Sequence, residues 1–436
     1  MKKVLIITYY WPPSGGSGVQ RWMYFCKYLK EFGIHPVVIT VDENKASYRY
    51  EDKSFNDLVK DVEVYRTNTR EPLKLYSKII SGNKSSAIPI GFAGESRPGF
   101  FQKVSRFIRG NFFIPDARIG WVKYAVKKAS DILKKNEISF VITNGPPHSS
   151  HFTGLILKRH FPITWMADFR DPWTDLYYNK FLYRTKYALR KDKKLEQKVL
   201  KESDVVLTIG PSMKKHLIQE GNIDANKVFY IYNGYDKNDF ENVEFSVDPA
   251  YFTISHIGML SESQPITSLL VALKSFYDNK HPICKYLKIR LIGNVSIDKI
   301  NEIKALVPGI QVEHIGYVQK KEAISYMFSS DLLFNSLAEM ENSELMISGK
   351  LMEYIAAKRP ILCLGNPNGD AANLLSNIEN SAVFVRKDII LITEFLKKIF
   401  ENWINKITFA IEDEKFLQYS RYETTHQLAN LLKKYI

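Results

Sequence analysis

Short apolar runs alternate with amphipathic stretches along nearly the whole chain, and this alternation restricts the fold more than any other feature. The first series of runs is Val4–Thr8, Val37–Val41, Val62–Tyr65, Phe140–Thr143, Thr164–Ala167, Val205–Ile209 and Val228–Tyr232. The second is Phe252–Ile257, Ile289–Ile292, Gln311–Ile315, Leu332–Asn335, Pro360–Leu364 and Ala382–Val385. Runs this short and this continuously apolar fit strands buried on both faces, as in parallel sheets. Helical patterns between them, such as Trp121–Lys135 and Ser212–Glu220, supply the crossovers. Between the two series the composition turns acidic and irregular (Asp236, Asp239, Glu241, Glu244, Asp248), which predicts an interdomain linker. The expected class is α/β, with two Rossmann-like doubly wound domains, 1–240 and 250–415, facing one another. Strand C-terminal ends then point into the cleft between them, the natural ligand site. Residues 416–436 form a final helical pattern. Residues 77–116 break the rhythm, first rich in Ser, Gly and Pro and then basic and aromatic, and are expected to form an insertion or long loop.

The glycine cluster Ser14-Gly15-Gly16-Ser17-Gly18 follows the first run directly, and Val19, Trp22, Met23 and Cys26 then share one helical face. Glycine lets backbone N–H groups approach a ligand closely, and a helix N-terminus adds orphan donors that suit phosphate. The turn is therefore either an anion cradle or simply a tight strand-to-helix turn. The phosphate-loop pattern is absent, because no Lys-Ser or Lys-Thr follows. The dinucleotide pattern is incomplete, because Arg21 stands where its third glycine belongs.

Charge is localised. Residues 71–130 carry a net +8 and residues 177–202 a net +6, together the whole of the chain's +14. Both blocks are rich in aromatics: Phe100, Phe101, Phe107, Phe112 and Phe113, then Tyr177, Tyr178, Phe181, Tyr183 and Tyr187. Basic and aromatic residues at this density suit an anionic membrane surface better than nucleic acid, and no nucleic-acid partner is expected. No stretch of 18 apolar residues occurs, so no spanning helix is expected. Pro12 and Pro13 cut the first apolar run too short for a signal peptide. Cys26, Cys284 and Cys363 lie in apolar segments without metal-ligand spacing, as in a reducing compartment. The expected location is cytoplasmic, with a peripheral seat on the inner face of the membrane.

Several ordered stretches together resemble the GT-B glycosyltransferases, in particular the large retaining family 4. They are the Gly15-Gly16 turn, Phe140–His151 (FVITNGPPHSSH), Trp165–Trp173 (WMADFRDPW), Asn233-Gly234, His256-Ile-Gly258, and Ser348–Leu362 (SGKLMEYIAAKRPIL). The resemblance covers nearly the whole length. It implies transfer of a sugar from a nucleotide-sugar donor to a glycan or lipid-linked acceptor, with retention by front-face attack, in cell-surface polysaccharide synthesis. It also implies that the final helix packs back on the first domain, and that catalysis needs no cofactor and no metal.

In this reading the second domain binds the donor. Gly316-Tyr317-Val318 offers a backbone edge for the base. Glu353 takes the ribose, on a helix opened by Ser348, Gly349 and Lys350, and Lys350 with Glu353 three residues on shares one helix face. Lys350 neutralises the leaving diphosphate, helped by Arg290. Gly15 and Gly16 complete the binding set from the first domain. Asp168 stands where the family has a histidine, and with His148 it is the catalytic candidate; an ion-pair network with Arg170 and Asp171 is the alternative for Asp168. Ser149 and Ser150 serve as caps or acceptor contacts. His148 and His151 lack acidic or thiol partners nearby, so no metal is expected there. Two departures stand out. Met259 and Gln264 occupy the positions where many members carry Arg and Lys, and Leu345 replaces the first of two glutamates eight apart. They keep open a degenerate, non-catalytic sugar-nucleotide- or membrane-binding subunit. A nicotinamide-dependent oxidoreductase is the third reading, which Arg21 disfavours.

Overall fold

The computed structural model describes residues 2–48, 51–71, 100–135, 138–338, 341–407 and 416–436. The chain divides into two compact units. The first is 1–233 with 421–436, and the second is 234–420.

The first unit holds a seven-stranded sheet in the order β3-β2-β1-β4-β5-β6-β7. Its strands are β1 (Lys2–Ile7), β2 (Ile34–Val41), β3 (Glu63–Thr67), β4 (Phe140–Gly145), β5 (Thr164–Phe169), β6 (Val205–Thr208) and β7 (Val228–Tyr230). The second holds six in the order β10-β9-β8-β11-β12-β13: β8 (Phe252–Ile257), β9 (Leu287–Ile292), β10 (Gln311–Ile315), β11 (Leu332–Ser336), β12 (Ile361–Leu364) and β13 (Ser381–Phe384). Every pairing between these strands is parallel. Each apolar run read from the sequence is one of these strands. In both sheets the order reverses once, between β1 and β4 and between β8 and β11, and such a reversal opens a crevice beyond the strand C-termini.

Helices cover the sheets. In the first unit they are α1 (Ser17–Leu29), α2 (Phe55–Leu58), α3 (Phe100–Phe112), α4 (Val122–Lys135), α5 (His151–His160), α6 (Lys186–Glu202) and α7 (Pro211–Gly221). In the second they are α8 (Thr267–Asp278), α9 (Ile297–Leu306), α10 (Lys320–Phe328), α11 (Gly349–Ala356), α12 (Asp370–Leu375) and α13 (Ile389–Ile404). The chain then returns to the first unit in α14 (Arg421–Leu432). Leu428 and Leu432 of α14 sit in one buried cluster with Val19, Trp22, Phe25 and Cys26 of α1. A separate cluster in the second unit joins Phe252, Leu291, Leu332 and Leu362 to α8 and α13.

Two expectations change. The acidic stretch read as a linker is packed structure of the second unit. Ser325 Oγ donates to the Glu244 carbonyl at 2.7 Å, and Phe245 stacks on Phe328 with centroids 5.2 Å apart, so the stretch is fastened to α10. Asp239 pairs with Lys320 and Asp248 with Lys288. The boundary falls at Asn233/Gly234 instead. The region 77–116 is also more than a loop. Residues 77–99 lie outside the described residues, but Phe100–Phe112 is a helix seated by Gly110, where an added Cβ would lie 2.4 Å from the Leu182 carbonyl.

Candidate functional site

In the second unit three adjacent strands end in the same dipeptide: Ile257-Gly258 on β8, Ile292-Gly293 on β9 and Ile315-Gly316 on β10. Gly258 and Gly293 have φ of 112° and 104°, a region disfavoured for residues with a Cβ. Gly258 N–H donates to Ile292 O at 2.7 Å and Gly293 N–H to Gly316 O at 3.0 Å, which links the three ends into one backbone edge. Tyr317 projects from this edge, 89% exposed, followed by half-buried Val318.

Lys350 lies over the edge from α11. Its Nζ donates to the Met259 carbonyl at 2.7 Å and lies 3.0 Å from His256 Nε2. An added Cβ at Gly258 would come 2.6 Å from Lys350 Cε, so glycine is what lets the lysine reach this place. Burial pushes the Lys350 ammonium down to about 8, and Glu353, one turn on, partly offsets this. Burial and the Lys350 charge hold His256 neutral, down to about 3. Tyr354 Oη accepts from Ile257 N–H at 2.9 Å and anchors α11 to the end of β8. Ser348 opens α11 without a side-chain cap, and the space beside Gly349 is open. Lys350 is thus brought to the β8 end of the edge that also carries Gly316 and Tyr317, and Ser348, Gly349 and Glu353 belong to the same short helix and its cap.

Arg290 is not brought there. It sits within β9, its Nε bonded to Glu313 Oε2 at 2.7 Å and its Nη1 to Ser329 Oγ at 3.1 Å, at the C-terminus of α10. Its charge is spent on Glu313, and it is corrected from a phosphate ligand to a sheet ion pair. Gln264 is likewise internal: it accepts from Ser261 N–H at 3.0 Å and donates to Ser336 O at 2.8 Å. Met259, by contrast, is 55% exposed beside Lys350.

In the first unit the glycine turn opens α1. Gly16 has φ 88° and is exposed, with open space where a Cβ would stand. Gly15 packs on Asp52, and Gly18 packs under Arg170, whose Nη1 an added Cβ would approach to 2.7 Å. That Nη1 is buried with no hydrogen-bond partner, while Nε and Nη2 bond Asp171 at 3.2 and 2.8 Å. A guanidinium nitrogen held without an acceptor beside a helix N-terminus has the chemistry to receive an anion. Nearby strand ends carry further unbonded buried atoms: Asn144 Oδ1 and both ring nitrogens of His148. His148 stacks on Trp173 with centroids 5.0 Å apart, and its Nδ1 lies 2.7 Å from where a Gly145 Cβ would stand. Burial, reinforced by the Arg170 charge, pushes His148 down to about 3, so it is a neutral imidazole at physiological pH. Ser149 and Ser150 are buried, and Ser149 bonds Asp116 through both N–H and Oγ at 2.8 Å.

Asp168 is corrected from a group facing substrate to a packing hub. It is wholly buried and accepts from Arg21 Nε at 3.0 Å, Arg21 Nη2 at 3.2 Å and Trp22 Nε1 at 2.7 Å. Arg21 also donates to Thr208 O, Ile231 O and Asn233 Oδ1. The partner is therefore Arg21 of α1 rather than Arg170, and no carboxylate oxygen faces solvent.

The two basic and aromatic blocks meet on the first unit. Asn111 of α3 donates to Tyr183 O at 3.1 Å and accepts from Thr185 N–H at 2.7 Å. Phe100, Phe107 and Phe112 of the first block and Phe181, Tyr183, Tyr187 and Leu189 of the second are all exposed. A recess of about 610 Å³ lies elsewhere, between α4, α5 and α6, lined by Val122, Phe152, Leu155, Arg159 and Lys198.

The model of Glycosyltransferase Family 4 matches residues 90–239. That stretch resembles a family 4 glycosyltransferase domain, and the fold is GT-B. A glycosyltransferase from Rickettsia africae aligns with TM-score 0.61 at 14% identity, over 99% of this chain and 98% of that one. Sucrose-phosphate synthase from Thermosynechococcus elongatus aligns with TM-score 0.64 at 13% identity, over 100% and 99%. HepE of Anabaena, solved in complex with UDP, aligns with TM-score 0.58 at 14% identity, over 100% of both chains. No curated protein matches the chain by sequence.

Two features of this GT-B site escaped the sequence reading. The Ile-Gly repeat at 258, 293 and 316 was visible, but its middle member was not used. Arg21 was noticed only as a misfit to the dinucleotide pattern.

Proposed function

We propose that this chain transfers a hexosyl group from a nucleotide sugar to a glycan or lipid-linked acceptor, with retention, in cell-surface polysaccharide assembly. One observation carries the reading: a partly desolvated lysine, Lys350, seated on the glycine end of β8, which is hydrogen-bonded through β9 to the glycine end of β10. A flat backbone edge beside a cation suits a base and a diphosphate, and Glu353 on the same helix suits ribose hydroxyls. Met259 and Gln264 cost less than their positions imply, because Lys350 stands beside Met259 and supplies charge there. HepE has been solved with UDP and with UDP-glucose, and WaaG is described as involved in lipopolysaccharide biosynthesis. The first supports a nucleotide-sugar donor and the second a cell-surface glycan as product.

The first unit takes the acceptor. Gly15, Gly16 and the free Nη1 of Arg170 would hold an acceptor phosphate, and neutral His148 would bond a sugar hydroxyl; Asp168 acts as a positioning residue through Arg21. The joined basic and aromatic face rests on an anionic membrane from the cytoplasmic side. Neither a metal nor an organic cofactor has a part in this reading. The oxidoreductase reading fails on Arg21, which fills the space a third glycine would leave.

A thermal-shift screen against UDP-, GDP-, ADP- and dTDP-linked sugars names the donor, and transfer of that sugar to membrane extract follows. Transfer by the wild type and its loss in Glu353→Ala support the enzyme. Donor stabilisation without transfer or hydrolysis would instead establish the non-catalytic subunit.

A further inference from the structure

We propose a divalent transition-metal site on the first unit, held by Asp175, His216 and Glu220. Nothing in the donor or acceptor reading uses these residues. His216 and Glu220 are four apart on α7 and project from one face. Asp175 comes from the loop that leaves β5. One ligand atom from each of the three lies within 4.8 Å of the others, and His216 Nε2 is 3.2 Å from Asp175 Oδ2.

A second observation points to a cation at this place. Glu196 of α6 has a wholly buried carboxylate. Its Oε2 accepts from Thr174 Oγ1 at 2.5 Å, while its Oε1 has no partner. A buried carboxylate oxygen left unbonded is costly, and a cation relieves that cost. Glu196 stands behind the three ligands, on the far side of the shared Lys193, and feels the charges of Lys193, Asp175 and His216. The chain already places a cation here: the Lys193 ammonium pairs with Glu220 and lies 3.9 Å from Glu196 Oε2. Lys193 is a third exposed on a flexible stem, so it can leave to solvent when a divalent ion enters. One imidazole nitrogen with carboxylate oxygens favours an ion of the zinc or cobalt type over calcium or magnesium. Bound metal would fasten Asp175 to α7, and with it the short loop that carries Arg170 and Trp173.

Tag-free, metal-stripped full-length protein is titrated with Co²⁺, followed by visible absorption and by thermal midpoint, and then challenged with Zn²⁺. The expected result is one saturable equivalent, displaced by Zn²⁺, with a raised midpoint. His216→Ala should abolish it. Lys193→Gln removes the competing ammonium and should tighten binding roughly tenfold. These two variants move in opposite directions, which general destabilisation cannot produce. Absence of one-equivalent binding in both wild type and Lys193→Gln would overturn the proposal, as would unchanged binding in His216→Ala. No readout depends on glycosyl transfer, so the result is independent of the proposed activity.

Discussion

A single buried charge decides much of the first unit. Arg21 is 1% exposed, and its guanidinium joins α1 to Asp168, Thr208, Ile231 and Asn233. Removing it leaves Asp168 charged, buried and short of two hydrogen bonds. Arg21→Ala should therefore lose about 3–5 kcal/mol in urea denaturation, the cost of orphaning a buried ion. A loss under about 1 kcal/mol would mean that Asp168 takes up a proton or water instead. Lys350 gives the matching test in the second unit. Its free amine titrates near 8, because burial disfavours the ammonium. A diphosphate binds the charged form, so binding above pH 8 must take up a proton. The affinity for the best nucleoside diphosphate should be flat below about pH 7.5 and weaken up to tenfold per unit above 8. Lys350→Arg should bind without that dependence, and an unchanged pH profile in this variant would remove Lys350 from the site. Of these two residues, Lys350 was legible because its role follows from a local run, Ser348–Glu353. Arg21 was not, because its partners lie 147 to 212 residues away in the chain.

At the scale of elements, strand ends and helix seats divide the work. Among the described strands the central ones were legible because a strand buried on both faces writes its burial as an unbroken apolar run, whereas β3, β10 and β13 are only partly buried and followed from the alternation around them. What lies at their ends was harder to read, because a glycine's purpose depends on what crosses it. Gly258 shows the point: its φ of 112° and the Lys350 stem 2.6 Å from its missing Cβ make it a double constraint. Gly258→Ala should displace Lys350 and weaken nucleoside diphosphate binding at least tenfold, read by calorimetry, while the circular dichroism spectrum stays that of a folded α/β protein. Retained affinity would show that α11 moves with little cost. The seat of α3 makes a parallel case. Gly110→Val forces a side chain into the Leu182 carbonyl, and should separate the two basic and aromatic segments. Sedimentation with anionic vesicles should then fall several-fold at low salt, whereas neutral vesicles should show little binding by either protein. Equal sedimentation of both proteins would place the membrane contact elsewhere. The acidic stretch 236–248 was misread for a related reason: acidity suits a solvated linker and also a partner for Lys320, and composition alone does not separate the two.

The whole molecule is two doubly wound units, each with its own buried cluster, and the chain leaves the first unit and comes back to it. The return is made by α14, whose contribution to the first core can be weighed. Leu428 and Leu432 are fully buried and Leu431 nearly so, packed among Trp22, Phe25 and Leu29. Tyr422 meets Tyr28 with centroids 5.7 Å apart, and His426 stacks on Phe32 at 5.0 Å. Each buried leucine is worth roughly 2–5 kcal/mol, so deleting the three costs on the order of 6–15 kcal/mol. That equals the full stability of an ordinary domain, about 5–15 kcal/mol. A chain ending at Ser420 should therefore lose the cooperative unfolding of the first unit altogether. The second unit keeps all of residues 234–420 and should unfold in calorimetry with its own transition and near-native enthalpy. The nucleotide-dependent rise in that surviving transition should persist, because Lys350, Glu353 and the three glycine ends all belong to the second unit. If both transitions survived the truncation unchanged, α14 would be a surface attachment and the cluster it shares with α1 would carry little of the stability. If both vanished together, the two cores would be energetically one, despite the separation of their buried residues into different clusters.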